Sequence, residues 1–399
     1  MEKGAALKIR FKKTHPHLKV ENFGPICSAD VQFGNLTVFV GPQATGKSIL
    51  LQLLKLLVDA KHVKAEFRRA GIDWEDKLAL FLDVYFGEGM HSLWKNGRTV
   101  VEFNEKSINL PDLIRTTKAS RGESMFFVPA QRVLTLRDGW PQAFTHYDPG
   151  VPFAVREFSE ELRLLMSDFG TSGDLFPVPR RLKEEFRALV QQHIFPGFNL
   201  KVDTQHAQKR LVLAAGENSL PFMVWSAGQR EFVPLLLGLY YLLTPAGASR
   251  RSGVDWAVIE EPEMGLHPRA IGVVVLMLFE LARRGYRVCV STHSPQVLDA
   301  IWALKHLTKA GAAPESLLKV FDAPATPSMV QIAERIMNQI GARVYYFERE
   351  SGQTRDISNL DPSSQEAAEA GWGGLSEFSG RANEAVARAV ANAERGAET

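Results

Sequence analysis

Cysteine is nearly absent. The 399 residues hold two, Cys27 and Cys289, which lie far apart and form no spacing that would cage zinc or staple a small domain. A reducing cytosol is the expected home. No uninterrupted apolar run approaches the ~20 residues that a membrane helix needs. The opening MEKGAALKIRFKKTH lacks the apolar core of a secretory signal, so a cytoplasmic chain with no membrane partner is expected. Charge of one sign is also lacking: the formal net charge is +2, and no overall field argues for a polyanionic partner. Internal repeats and long heptad runs are missing as well, which excludes solenoids and long coiled-coil arms.

What is present is a chain long enough for two or three lobes, with 45% hydrophobic residues, the balance of a globular fold with a sizeable core. Its most specific stretch is Gly41-Pro42-Gln43-Ala44-Thr45-Gly46-Lys47-Ser48, which fits the phosphate-loop pattern G-x-x-x-x-G-K-[ST]. The context agrees. Leu36 to Val40 reads as a short buried strand, and Ile49 to Val58 as a helix apolar nearly all round. In such a frame the loop N–H groups and the positive helix end cradle phosphates. Lys47 reaches the β- and γ-phosphates, and the Ser48 hydroxyl ligates Mg²⁺. ATP with Mg²⁺ is the expected cofactor.

Residues 17–40 alternate as strands, broken by Gly24-Pro25. Leu78 to Phe86 and Thr99 to Phe103 read as strands about a turn at Asn96-Gly97, and Met125 to Val128 as another. Helical periodicity in Phe158–Phe169 and Leu182–Ile194 suggests an inserted helical lobe over 133–195. Strand-like segments follow at Asn199–Val202 and Arg210–Ala214. The second half alternates more regularly: a helix over Phe232–Leu243, a strand over Trp256–Ile259, a helix over Pro268–Arg284 and a strand over Arg287–Thr292. That order favours an α/β fold with a largely parallel sheet. The expected division is 1–132 and 196–320 as two parts of one core, 133–195 as the inserted lobe, and 321–399 as a small extension. The extension ends in an Ala-rich exposed helix that either covers its own domain or packs on a partner.

Three further motifs carry chemistry. Trp256-Ala257-Val258-Ile259 delivers Glu260 and Glu261 at its C-terminal end. Phosphoryl hydrolysis needs one carboxylate for the metal shell and another to orient or deprotonate water, and Glu260 and Glu261 are assigned those roles in that order. Ser291-Thr292-His293-Ser294-Pro295 closes another buried strand and places His293 where it would contact the γ-phosphate or the water. Trp225-Ser226-Ala227-Gly228-Gln229-Arg230-Glu231 leads into an apolar helix, with Ser226 suited to cap it. The phosphate loop, the paired acids and His293 thus fall at C-terminal strand ends, where open α/β sheets bind ligands.

In this order the motifs resemble the ATP-binding-cassette (ABC) ATPases. The fold implied is the ABC-ATPase head: a P-loop NTPase with a mainly parallel core sheet, an antiparallel β part and, here, an inserted helical lobe. Ser226-Ala227-Gly228-Gln229 resembles the Ser-Gly-Gly-Gln signature with Ala for its first Gly, and Glu260 stands where Asp is usual. Gln131 is the candidate Mg²⁺-sensing glutamine, with Arg132 an equal rival. Glu260 through Pro268 and Ser291 through Pro295 resemble more narrowly the AAA ATPases of overcoming-lysogenisation-defect proteins and related prokaryotic defence systems. Val344–Phe347 through Asp356–Ser358 resembles the strand pair that follows the switch strand there. The resemblance implies that two copies sandwich ATP, with Ser226, Gly228 and Gln229 completing the partner's site. The expected unit is therefore at least a homodimer, acting as a sensor ATPase in anti-phage defence with a separate effector.

Other readings are weighed on the same residues. The long interval from Lys47 to Ser226 and the EEPE and STHSP wording lean away from a transporter subunit, and the lack of a coiled coil from chromosome-maintenance ATPases. A RecF-type repair ATPase remains the alternative. A nuclease would need Asp-x-Asp, whereas Asp322, Asp356 and Asp361 stand apart. DNA is carried as a candidate partner on basic clusters at Lys8, Arg10, Lys12 and Lys13; at Lys61, Lys64, Arg68 and Arg69; at Arg180, Arg181 and Lys183; and at Arg250 and Arg251. Acidic residues balance each of these.

Overall fold

Alternate residues of the central strands enter two different cores. Val38, Val40, Phe126, Val128, Ala257, Ile259, Val288 and Val290 lie in one. Phe39, Met125, Phe127, Val258 and Cys289 lie in the other. A two-residue period with both sets buried is the mark of a sheet covered on both faces. The computed structural model describes residues 15–115, 122–168, 173–179, 181–204, 209–243 and 250–397. The basic cluster Lys8, Arg10, Lys12 and Lys13, and Arg180, lie outside the described residues.

The first elements are β1 (His17–Phe23), β2 (Ile26–Gln32), β3 (Leu36–Val40), α1 (Lys47–Arg69), α2 (Leu78–Phe86), β4 (Val100–Phe103), β5 (Lys106–Ser107), α3 (Leu110–Arg115) and β6 (Met125–Val128). Next come β7 (Leu136–Arg137), β8 (Trp140–Pro141), α4 (Phe153–Asp168), β9 (Gly173–Phe176), α5 (Glu184–His193), β10 (Asn199–Asp203), β11 (Arg210–Ala215) and β12 (Asn218–Pro221). The second half holds α6 (Ala227–Leu242), β13 (Trp256–Glu260), α7 (Pro268–Arg283), β14 (Arg287–Ser291), α8 (Pro295–Lys309), α9 (Pro314–Val320) and α10 (Pro327–Gln339). It closes with β15 (Ala342–Phe347), β16 (Thr354–Asp356), α11 (Ala367–Ala370) and α12 (Glu377–Ala397).

The core sheet runs β16-β15-β3-β14-β13-β6. Neighbours from β15 to β6 are parallel, and only the edge strand β16 is antiparallel. β14 therefore lies between the strand that leads into the phosphate loop and the strand that carries the acids. Two antiparallel sheets, β2-β1-β4-β5 and β12-β11-β10-β9, flank this core. α1 shares a core with the first of them, while α6 and α7 pack on the other face.

Leu78–Phe86, expected as a strand, is the helix α2. Its sequence LALFLDVYF is apolar on nearly every side, so periodicity does not distinguish strand from helix. Phe81, Leu82, Tyr85 and Phe86 all enter the second core, at the three- and four-residue spacings of one helical face. Residues 133–195 contain α4 and α5 together with the β7–β8 hairpin and β9, which pairs with β10. α12 leaves Phe378, Val386 and Val390 exposed and so does not cover its own domain with that face.

Candidate nucleotide-binding site

The phosphate loop leaves β3 at Val40 and enters α1 at Lys47. Its backbone is left-handed at Gly41 (φ 140°), Ala44 (φ 62°) and Gly46 (φ 99°). A Cβ at Gly41 would lie 2.5 Å from the Phe347 carbonyl oxygen, and one at Gly46 2.6 Å from Ile26 Cγ1. Both positions therefore require glycine on conformation and on space. Thr45 Oγ1 donates to the Pro42 carbonyl at 2.9 Å. Arg349 Nη2, beyond β15, donates to the Gln43 carbonyl at 2.8 Å. α1 carries no acidic residue in its first turn, so no carboxylate of its own competes for its positive end.

Lys47 is buried, and its Nζ donates to the Gly41 and Pro42 carbonyls at 2.8 and 2.7 Å. Burial pulls its pKa down to about 8; Glu261 and Glu260 oppose the shift, and Arg349 adds to it. The ammonium is thus held by neutral carbonyls beside, but not on, two carboxylates. It is a buried cation lacking an anion, the state that a phosphate would complete.

β13 presents the two acids in different settings. Glu260 is 1% exposed; its Oε2 accepts from the Ala130 amide at 3.2 Å, and the Ser48 side chain lies beside its carboxylate. Its Oε1 is buried with no hydrogen-bond partner. Burial pushes its pKa above the usual carboxylate range, with Ser48 and the Ala130 amide acting against that. Glu261 is half-exposed, with Oε1 3.5 Å from His293 Nε2. That contact, above all, holds its pKa below the usual range despite partial burial, with Lys47 and Arg132 assisting. Neighbouring acids pushed in opposite directions are the pattern expected when one waits for a cation and the other stays ionised. Glu261 also has φ 42°, a strained conformation for a side-chain-bearing residue, and its amide donates to the Ser291 carbonyl at 2.9 Å.

Two further residues organise these acids: Arg132, the rival of Gln131 for the Mg²⁺-sensing position, and Glu263, which has no role assigned from sequence. Arg132 is fully buried. It donates to the Glu231, Glu260 and Glu261 carbonyls at 3.0, 2.9 and 3.0 Å, clamping the main chain of the acidic loop to the start of α6. Glu263 Oε1 accepts from Thr292 Oγ1 at 2.8 Å and from the His293 amide at 2.7 Å, which orients the His293 turn. Both residues lay within the stretches that sequence pattern singles out, but their partners are distant in the chain. Gln131 is exposed, just before the 3-10 turn Arg132–Thr135.

Ser226 caps α6 in a reciprocal capping box. Its Oγ accepts from the Gln229 amide at 3.3 Å, and its amide donates to Gln229 Oε1 at 3.0 Å. Gly228 abuts the acidic loop: a Cβ there would be 2.6 Å from the Gly265 carbonyl oxygen. Ser226 itself is exposed. The signature stretch is therefore tied to the acids from behind while its leading face is open.

Ser48 and the unpartnered Glu260 oxygen are two hard oxygen donors at one point, and no group of three or more His, Cys, Asp or Glu side chains able to hold a metal occurs among the described residues. Such a sparse donor set fits Mg²⁺, which keeps most of its shell from water and nucleotide phosphates.

A family model described as "AAA ATPase domain" matches residues 16–127. A second, described as "AAA domain, putative AbiEii toxin, Type IV TA system", matches residues 150–299. The two AAA-type models thus match the phosphate-loop part and the part holding the paired acids in turn, which supports an ABC-like AAA ATPase. Among solved structures, the chain aligns with an SMC head bound to the C-winged helix domain of ScpA, at 10% identity and TM-score 0.41, over 86% of this chain and 96% of that one. It aligns with a dimeric bacterial ABC transporter cassette at 12% identity and TM-score 0.35, over 85% and 97%. The SMC head domain from Thermotoga maritima aligns at 11% identity and TM-score 0.31, over 86% and 98%. No curated protein matches the ATPase.

Proposed function

We propose that this ATPase binds Mg·ATP at the phosphate loop and hydrolyses it as a conformational switch. The observation that carries this reading is the meeting, at one sheet edge, of Ser48 with Glu260 and of Glu261 with His293, beside a buried lysine that lacks an anion. Loop amides and Lys47 would bind the phosphates, and Ser48 and Glu260 would hold the ion. Bound Mg²⁺ supplies charge neutralisation at the phosphates. Glu261 orients the attacking water and accepts its proton, and His293 reports on the γ-phosphate through the same carboxylate. Arg132 and Glu263 keep both groups in place.

The exposed Ser226, on a turn packed against the acidic loop, supports a homodimer in which Ser226, Gly228 and Gln229 complete the partner's site. In this reading 1–132 and 196–320 form the ATPase core, 133–195 an inserted lobe, and 321–399 an extension whose β15 continues the core sheet. The match to the toxin-associated AAA model motivates a setting in prokaryotic defence, and a separate effector is proposed with that setting.

Glu261→Gln should slow single-turnover hydrolysis by about 10²- to 10⁴-fold while ATP binding persists. Unchanged turnover would reject the water-activating role. Light scattering of Glu261→Gln with ATP and Mg²⁺ should show a dimer that Ser226→Arg abolishes; a dimer surviving that change rejects the contribution in trans.

A further inference from the structure

One cavity is lined by no residue of the phosphate loop or the paired acids. It is an open cleft of about 900 Å³ between the β7–β8 hairpin, α4 and the start of β11, and its lining includes Arg137, Trp140, His146, Arg163, Lys209 and Arg210, with Asp138 as an acid. Two of these cations are already committed: Arg163 forks onto Glu160 at 3.0 and 2.8 Å, and Arg210 onto Asp203 at 3.1 Å. The side chains of Arg137, His146 and Lys209 have no hydrogen-bond or ion-pair partner among the described residues. Lys209 Nζ stands 6.0 Å from the ring centroid of the half-buried Trp140.

A cleft with surplus positive charge and an indole on its wall matches a ligand that joins phosphate to a flat ring. An acidic peptide would satisfy the cations but leave the indole unused. We propose that this cleft binds the nucleotide unit of a single strand or of a free mononucleotide, phosphate on Arg137 and Lys209 and base on Trp140.

The hairpin that carries the cleft is joined to both halves of the ATPase site. Asp138 and Gly139 form its turn with φ 52° and 82°, the pattern of a tight two-residue hairpin. β7 follows directly on the turn that begins with Arg132, the residue clamping Glu260 and Glu261. On the other side the Gly139 carbonyl accepts from the Leu211 amide at 2.9 Å. A Cβ at Gly139 would come within 2.9 Å of Phe222 Cβ, and Phe222 stacks edge-on against Trp225, next to Ser226. A ligand that shifts this hairpin moves Arg132 and the signature turn together, so the cleft acts as an effector site for hydrolysis.

The test uses the full chain carrying Lys47→Ala, so that the phosphate loop does not compete for the probe. Fluorescence anisotropy follows a labelled single-stranded oligodeoxynucleotide of about ten nucleotides, within the span that single-strand sites take. Arg137→Glu with Lys209→Glu should weaken binding at least tenfold and flatten its salt dependence. Trp140→Ala should weaken it about tenfold while Trp140→Phe restores most of it, which separates stacking from a folding defect. Displacement of the oligonucleotide by AMP identifies the free mononucleotide as sufficient; binding that AMP does not displace identifies the strand. With Lys47 restored, the oligonucleotide or AMP should change the ATP hydrolysis rate of the native chain but not of the Arg137→Glu, Lys209→Glu variant, whose basal rate is unaltered. The proposal is overturned if neither probe binds, if the charge-reversed variant binds equally, or if a polyglutamate peptide binds as tightly as the oligonucleotide.

Discussion

Lys47 and Lys55 lie two turns apart on the same helix and are both buried, yet their surroundings are opposites. Lys47 Nζ meets only loop carbonyls, and its pKa falls to about 8. Lys55 Nζ meets Asp59, Glu123 and Glu157 at 3.0, 3.0 and 3.1 Å and the Met125 carbonyl at 2.6 Å. Burial alone would depress Lys55 as well, but those carboxylates hold its pKa well above the ordinary lysine value. One lysine lacks its counter-ion and the other has several. The difference marks which buried charge serves a ligand and which serves the fold.

The Lys55 cluster has a positional task. α1 departs from helical geometry at Asp59 (φ −118°, ψ 24°), where the carboxylate accepts from the Ser124 and Met125 amides at 2.9 Å each. The phosphate-loop helix is thereby fastened to the start of β6, whose far end leads to Arg132. His62 extends the cluster through Glu157 at 2.7 Å.

The comparison can be broken most severely at Lys55. Lys55→Met strands three carboxylates, and a loss of about 3–5 kcal/mol in urea unfolding is expected. Adding Glu123→Gln and Glu157→Gln should recover part of it. A loss below about 1 kcal/mol, the range of solvated pairs, would mean that the network is not load-carrying in the dry interior. Lys47→Ala should do the reverse, with kcat falling roughly 10²- to 10³-fold and the melting temperature holding or rising. A large loss of stability there would erase the distinction between the two lysines.

The smallest effect sharpens it through pH. Burial would lower the His62 pKa, but the hydrogen bond and charge of Glu157 override this and raise it from 6.5 to about 9, with Glu123 assisting and Lys55 opposing. Glu66 and Glu161 lie on the same cleft. The folded state therefore holds the proton more tightly than the unfolded one. This stabilisation is fully present below pH 6.5 and is lost as pH rises through about 9. His62→Asn should remove that slope from unfolding free energies measured across the window. An unchanged slope would assign it elsewhere.

The phosphate loop, the paired acids and His293 were legible because each is a local device. A buried strand ends, the chain turns, and the side chains that follow stand at a predictable sheet edge. Leu78–Phe86 was misread because an apolar run carries no period when most of its faces are buried; packing against Phe67 and Phe153 decided for helix. Arg132 and Glu263 were visible as residues but not as clamps. Their partners lie 99 to 129 and 29 to 30 positions away, and no local pattern encodes which distant carbonyl a guanidinium will reach.

By itself the sequence determined the chemistry at each strand end, because glycine, lysine and carboxylate spacing follows from backbone geometry within a few residues. Tertiary structure alone decided which of those ends share an edge. The order β3-β14-β13 brings Lys47, His293 and Glu261 together, and folding also settled which of two buried lysines would keep its charge unpaired. Long-range strand order and the dielectric around a side chain belong to the assembled chain, since both depend on what packs against a residue from far along the sequence.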